Sequence, residues 1–172
     1  MTKKYVVKFV GLSNGEHGFE YSIGKKFFEE SDCEDILDAD LFLKVVLYKE
    51  DRQMRFVFDF TGSIEVLCDR CLEPMKVPMN FSRELYVKFG PEYEEQSEEL
   101  IVLPWKEHSI DLTGVIYDYI LLAKPVRCVH GEVGGGKQVC NQEMMDILSQ
   151  TEMMDGGGED DPRWDELRKL NY

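Results

Sequence analysis

Histidine is scarce in this chain, and so is positive charge. Three histidines in 172 residues offer little material for a general base near neutral pH. No nucleophile–base pairing can be read from their positions, so the expectation is a protein that is not an enzyme. Twenty Lys+Arg stand against 34 Asp+Glu, a net charge of -14. That balance excludes a protein that holds nucleic acid mainly through its own positive field, though not one with a local basic patch or a protein partner. No apolar run approaches the ~20 residues needed to cross a bilayer. The glycine patterns that cradle phosphates or dinucleotides are missing as well. Gly134, Gly135 and Gly136 precede Lys137, but no strand leads into them and no Ser or Thr follows the lysine. Residues 1–8 begin with basic character, yet Lys8 interrupts the apolar run before a secretory h-region can form. The expectation is a cytoplasmic protein with no membrane or DNA partner.

What is present is enough for one real core. Apolar residues make up 43% of the chain, and folding at this length buries about 70% of the unfolded surface. The expected class is α+β: an N-terminal antiparallel sheet, open or barrel-like, with a long helix and two shorter C-terminal helices packed on it. Residues 1–172 form one domain in this reading, mainly β over 1–104 and mainly helical over 109–172. Leu41, Leu43, Val45 and Leu47 alternate with other residues, as do Phe56, Phe58 and Phe60, and a short charged connection makes the two runs a hairpin. Thr61 and Gly62 read as a turn into a third strand over 63–68. Residues 76–89 read as a long strand or two joined by a bulge near Ser82, with Pro78 pointing to an edge. The five glutamates of residues 90–99 mark a solvated loop, and residues 101–103 a closing strand.

The helical half opens at Ser109, which suits an N-cap. Leu112, Val115, Ile116, Tyr119, Ile120 and Ala123 then share one face. A second helix follows Asn141, with Met144, Ile147, Leu148 and Thr151 on one side. Asp161, Pro162 and the Trp164/Leu167/Leu170 stripe give a short terminal helix, too short to hold alone in water, which therefore needs a docking surface.

The one local motif with chemistry is Cys68-Asp69-Arg70-Cys71. Two thiolates at this spacing on a tight bend supply half of a tetrahedral Zn²⁺ site. The remaining candidates, Cys128, His130 and Cys140, lie in a Gly-rich loop with little else to order it, and a shared metal would give that loop a reason to be fixed. The preferred set is Cys68, Cys71, His130 and Cys140, with Cys128 as the alternate to His130; four protein ligands make a structural zinc site. Two other readings stand beside it: no metal, with Cys68 a core residue and the rest free thiols, or a redox dithiol. The dithiol fits poorly, because its first cysteine belongs at a helix N-terminus after a parallel strand and the flanks here are antiparallel β. Arg70 and Lys76 flank the first cysteine cluster, and Lys124, Arg127 and Lys137 the second. If the clusters meet, these charges form a patch able to touch RNA phosphates; scattered surface charge is the plain alternative.

The stretch from Gly62 through Cys68-Asp69-Arg70-Cys71-Leu72-Glu73-Pro74 resembles the central cysteine block of the YceD family. Ile110-Asp111-Leu112 through Leu121-Leu122-Ala123-Lys124-Pro125 is similar to its helix block, and Asp161-Pro162-Arg163-Trp164 through Leu170 to its closing block. The chain departs from many members in its second cysteine cluster, where they carry a richer run than Cys128, His130 and Cys140. The resemblance implies a non-enzymatic cytoplasmic factor in ribosome biogenesis, linked to accumulation of large-subunit ribosomal RNA. Its partner would be a precursor of that RNA or an assembly protein, met through Arg70, Lys76 and Arg127 or through the Arg163/Trp164 block.

Overall fold

A computed structural model describes residues 4–133, except 32 and 34, and 139–155, the last five by backbone alone. The terminal stripe with Arg163 and Trp164, and Lys137 of the Gly-rich loop, lie outside the described residues.

Alternation of apolar residues builds most of the sheet. β2 (Gly15–Gly24), β3 (Asp38–Lys49), β4 (Gln53–Leu67) and β5 (Pro74–Gly90) follow one another as antiparallel neighbours. In β4 the residues Met54, Phe56, Phe58, Phe60, Ile64 and Val66 all point to one buried face. That face is closed by the ribbon of β1 (Val6–Lys8) with β8 (Ser109–Asp111), by α1 (Lys25–Glu29), and by α2 (Thr113–Ala123). Tyr5 packs on Phe27, and the Phe58 ring meets Tyr119 edge-on at 5.5 Å. A sheet covered on one face and wet on the other is what this alternation dictates. The fold is α+β, and the described sheet is open rather than a closed barrel.

The sheet is mixed, not purely antiparallel. β6 (Glu94–Ser97) and β7 (Leu100–Pro104) complete the order β2-β3-β4-β5-β7-β6, with β7 parallel to β5 and β6 antiparallel at the outside. The glutamate-rich segment expected as loop leaves β5, skips a position and returns, so β7 slots in between. Every β6 residue is exposed, so no apolar alternation betrays the strand.

Two further expectations change, and a third narrows to one of its two alternatives. Gly62 makes no turn: β4 runs through it without a register shift. Its φ of 140° suits glycine, and a Cβ there would strike the Asp40 carbonyl. Residues 76–89 belong to one strand paired with β4 in continuous register, with no bulge at Ser82. Pro78 does sit at an edge, because β7 pairs only with residues 86–90 of β5. Ser109 is a strand residue rather than a cap, and α2 begins four residues later. Asp111 Oδ1 accepts from the Thr113 N–H at 3.0 Å and from its hydroxyl at 2.6 Å. The expected stripe on α2 is buried at Leu112, Ile116, Tyr119 and Ile120. No helix among the described residues is long and apolar enough to cross a membrane.

Candidate metal centre

β4 ends at Leu67, and the Cys-x-x-Cys turn follows at once, on the stiff end of the best-packed strand. Cys68 is closed into the turn from both sides: its N–H donates to the Glu73 carbonyl at 2.9 Å, and its own carbonyl accepts from Leu72 N–H at 2.9 Å. Leu72 takes the left-handed conformation, φ 59°, that ends so tight a bend.

The segment after α2 is laid against this turn by polar contacts. Asp69 N–H donates to the Cys128 carbonyl at 2.8 Å, and the Cys128 N–H returns to the Asp69 carboxylate at 2.6 Å. Asn141 Nδ2 donates to Glu73 at 2.6 Å while its own Oδ1 accepts from Glu143 N–H at 2.9 Å, capping α3 (Gln142–Asp155) directly after Cys140.

These contacts bring four donor groups together. The ligand atoms of Cys68, Cys71, His130 and Cys140 all lie within 4.8 Å of one another. Cys68 and Cys140 sulfurs are 3.9 Å apart, and Cys71 Sγ is 3.3 Å from His130 Nδ1. Tetrahedral bonds of normal zinc length would set sulfur–sulfur edges near ~3.8 Å and sulfur–nitrogen edges near ~3.6 Å. The spacing therefore fits a single small ion, and three soft sulfurs with one imidazole suit zinc. The three cysteines are buried and His130 half-buried, so such a site would be a cross-link, not a centre open to substrate. Burial pushes the Cys68 thiol up, but the backbone N–H groups of Cys71, His130 and Arg70, with the Cys71 thiol, outweigh it and hold Cys68 at about 6. Burial, and hydrogen bonds to Cys68 and Cys71, push the Cys140 thiol up.

Cys128, the alternate to His130, does not join the four. Its thiol turns to the Pro125 carbonyl at 3.5 Å, and its contribution is the backbone pair with Asp69. Asp69, Glu73 and Asn141 were not singled out from the sequence, although Asp69 stands inside the Cys-x-x-Cys motif and Asn141 beside Cys140.

The basic residues gather less charge than their sequence positions suggest. Arg70 and Arg127 do meet at this end of the sheet, but both pair with Glu132, at 3.2 and 3.6 Å. Lys124 pairs with Asp35 at 3.6 Å. Lys76 stands opposite Glu65 in the strand register, without an ion pair among the described residues, and shares a small depression with Glu65, Asp38 and Asp40, so its neighbours are acidic.

Among known proteins, no curated protein and no solved structure matches the chain. A family model, Large ribosomal RNA subunit accumulation protein YceD, matches residues 56–171, about two thirds of the sequence. The match runs from near the start of β4 through the cysteine turn and α2 to the closing Trp164 block. The chain belongs to the YceD family, whose members are non-catalytic accessory factors associated with ribosomal RNA biogenesis.

Proposed function

We propose that this protein acts in the cytoplasm to support accumulation or processing of large-subunit ribosomal RNA. In this role a structural zinc ion, held by Cys68, Cys71, His130 and Cys140, fixes the loop that follows α2. The observation that carries the reading is the meeting of these four ligand atoms, from positions 59 and 72 residues apart in pairs, inside a chain whose family is named for that RNA. The metal supplies no reaction chemistry. It ties the second loop to the end of β4 and so presents Arg70 and Arg127 together. Contact with the precursor particle then runs through an assembly protein, or through that pair of arginines. The first route is favoured because Glu132 already neutralises part of the arginine charge.

Depleting the protein and measuring the ratio of large- to small-subunit ribosomal RNA tests the role. The ratio should fall, and the protein should travel with large-subunit precursors in a gradient. An unchanged ratio would overturn the reading and leave a zinc-stabilised module with some other partner.

A further inference from the structure

A groove of about 680 Å³ opens between α2, the β1/β8 ribbon and the β6/β7 edge of the sheet. Its lining is apolar where the strands and helix meet, with Ile101 and Val115, and two large apolar side chains stand out at its rim: Tyr93 at 55% exposed and Leu122 at 58%. Charge of a single sign surrounds them. Glu95, Glu98, Glu107, Asp111 and Asp118 line the groove, and no lysine, arginine or histidine does. None of the five carboxylates has an ion-pair partner among the described residues. Acids elsewhere, such as Glu84 and Glu132, are paired with arginine.

We infer that this groove is a docking site for a basic, amphipathic segment of a partner protein, which seats apolar side chains against Leu122 and Tyr93 and pairs its lysines or arginines with the rim. Charge selects this occupant over the others. RNA phosphates would meet five carboxylates. A second copy would bring a further net charge of -14. The chain's own residues 156–172 carry five acidic against three basic side chains, so repulsion opposes them too. The groove shares no lining residue with the cysteine centre, so its occupancy stands or falls apart from the metal and from the RNA role.

The test uses the full-length protein and a labelled helical peptide of lysine and leucine with its leucines on one face, followed by fluorescence anisotropy. An oligolysine of equal charge and a single-stranded RNA of similar length serve as comparisons. The amphipathic peptide should bind at least tenfold more tightly than oligolysine and weaken as salt rises, while the RNA, labelled in place of the peptide, should show no binding to the protein. Leu122→Lys removes one apolar anchor and adds a like charge at an exposed site, and should weaken the peptide about tenfold or more with the melting temperature kept. Glu20→Lys, at an exposed position of β2 outside the groove, should change little. Equal binding of peptide and oligolysine, or equal binding by wild type and Leu122→Lys, would overturn the inference, since either leaves only general attraction to an acidic protein. Direct binding of the labelled RNA, strengthened by Leu122→Lys, would overturn it in favour of nucleic acid. Tighter binding by Trp164→Ala would overturn it in favour of the chain's own tail.

Discussion

Stripping metal from the cysteine centre should weaken the protein by an amount that the topology sets. Cys71 and His130 are 59 residues apart in sequence and 3.3 Å apart in space at Sγ and Nδ1. A cross-link closing a span of that length removes unfolded-chain entropy equivalent to about 4 kcal/mol on the chain-entropy relation. For a domain of this size each kilocalorie moves the melting temperature by roughly 2–4 °C, so loss of the ion should lower it by about 8–16 °C. The assay is a melt of the protein purified without chelator, repeated after exposure to a strong zinc chelator. His130→Ala supplies the internal control, because it removes one of the four ligand groups and leaves the three cysteines and the sheet core in place. The variant should melt near the stripped wild type, and chelator should not lower it further. The sheet core from Leu41 to Val87 needs no metal, so far-ultraviolet circular dichroism should persist while cleavage by a protease between Pro125 and Asn141 rises. A wild-type protein whose melting and proteolysis ignore the chelator, with His130→Ala melting within about a degree of it, would refute the reasoning.

Other outcomes follow from single contacts. Gly62→Ala should cost at least about 2 kcal/mol in urea denaturation, because its φ of 140° and the Asp40 carbonyl leave no room for a Cβ; an effect near zero would mean that the strand relaxes freely there. Asp69→Ala removes the carboxylate that holds the Cys128 N–H at 2.6 Å and should weaken zinc binding about 10–100-fold in competition with a chromophoric chelator, without touching a ligand. Burial, then the Glu99 carboxylate, pushes the Tyr119 hydroxyl up to about 12. Its folded value lies above the unfolded one near ~10, so the stabilisation it gives is complete below pH ~10 and is lost as pH rises toward 12. Tyr119→Phe, which deletes the hydrogen bonds to the Glu84 and Glu98 carbonyls, should cost about 1 kcal/mol at neutral pH and flatten that alkaline decline.

Where side chains alternate, the sequence was legible. The Leu41 to Leu47 and Phe56 to Phe60 runs announce the hairpin because one face of each strand is buried and the other wet. The α2 face was legible for the same reason at helical spacing. β6 was not, since a strand exposed at every residue carries no pattern, and with it went the parallel placement of β7. Gly62 read as a turn because glycine serves turns and close backbone approaches alike, and only the pairing with Asp40 and Leu41 tells them apart. At the centre, the sequence put Cys68, Cys71, His130 and Cys140 first and kept Cys128 as the alternate to His130, with spacing alone giving no physical ground for the preference. That choice depends on Asp69, which takes hold of the Cys128 backbone and leaves its thiol facing Pro125. The arginine patch was overestimated because sequence does not show Glu132 lying between Arg70 and Arg127.

The account rests most directly on the metal content of the protein itself. Elemental analysis of the full-length chain, purified without chelator, should find zinc at one ion per chain, and Cys71→Ser should lower that content sharply while the protein remains folded. Protein that carries no zinc, and takes up none when it is supplied under reducing conditions, would contradict the account.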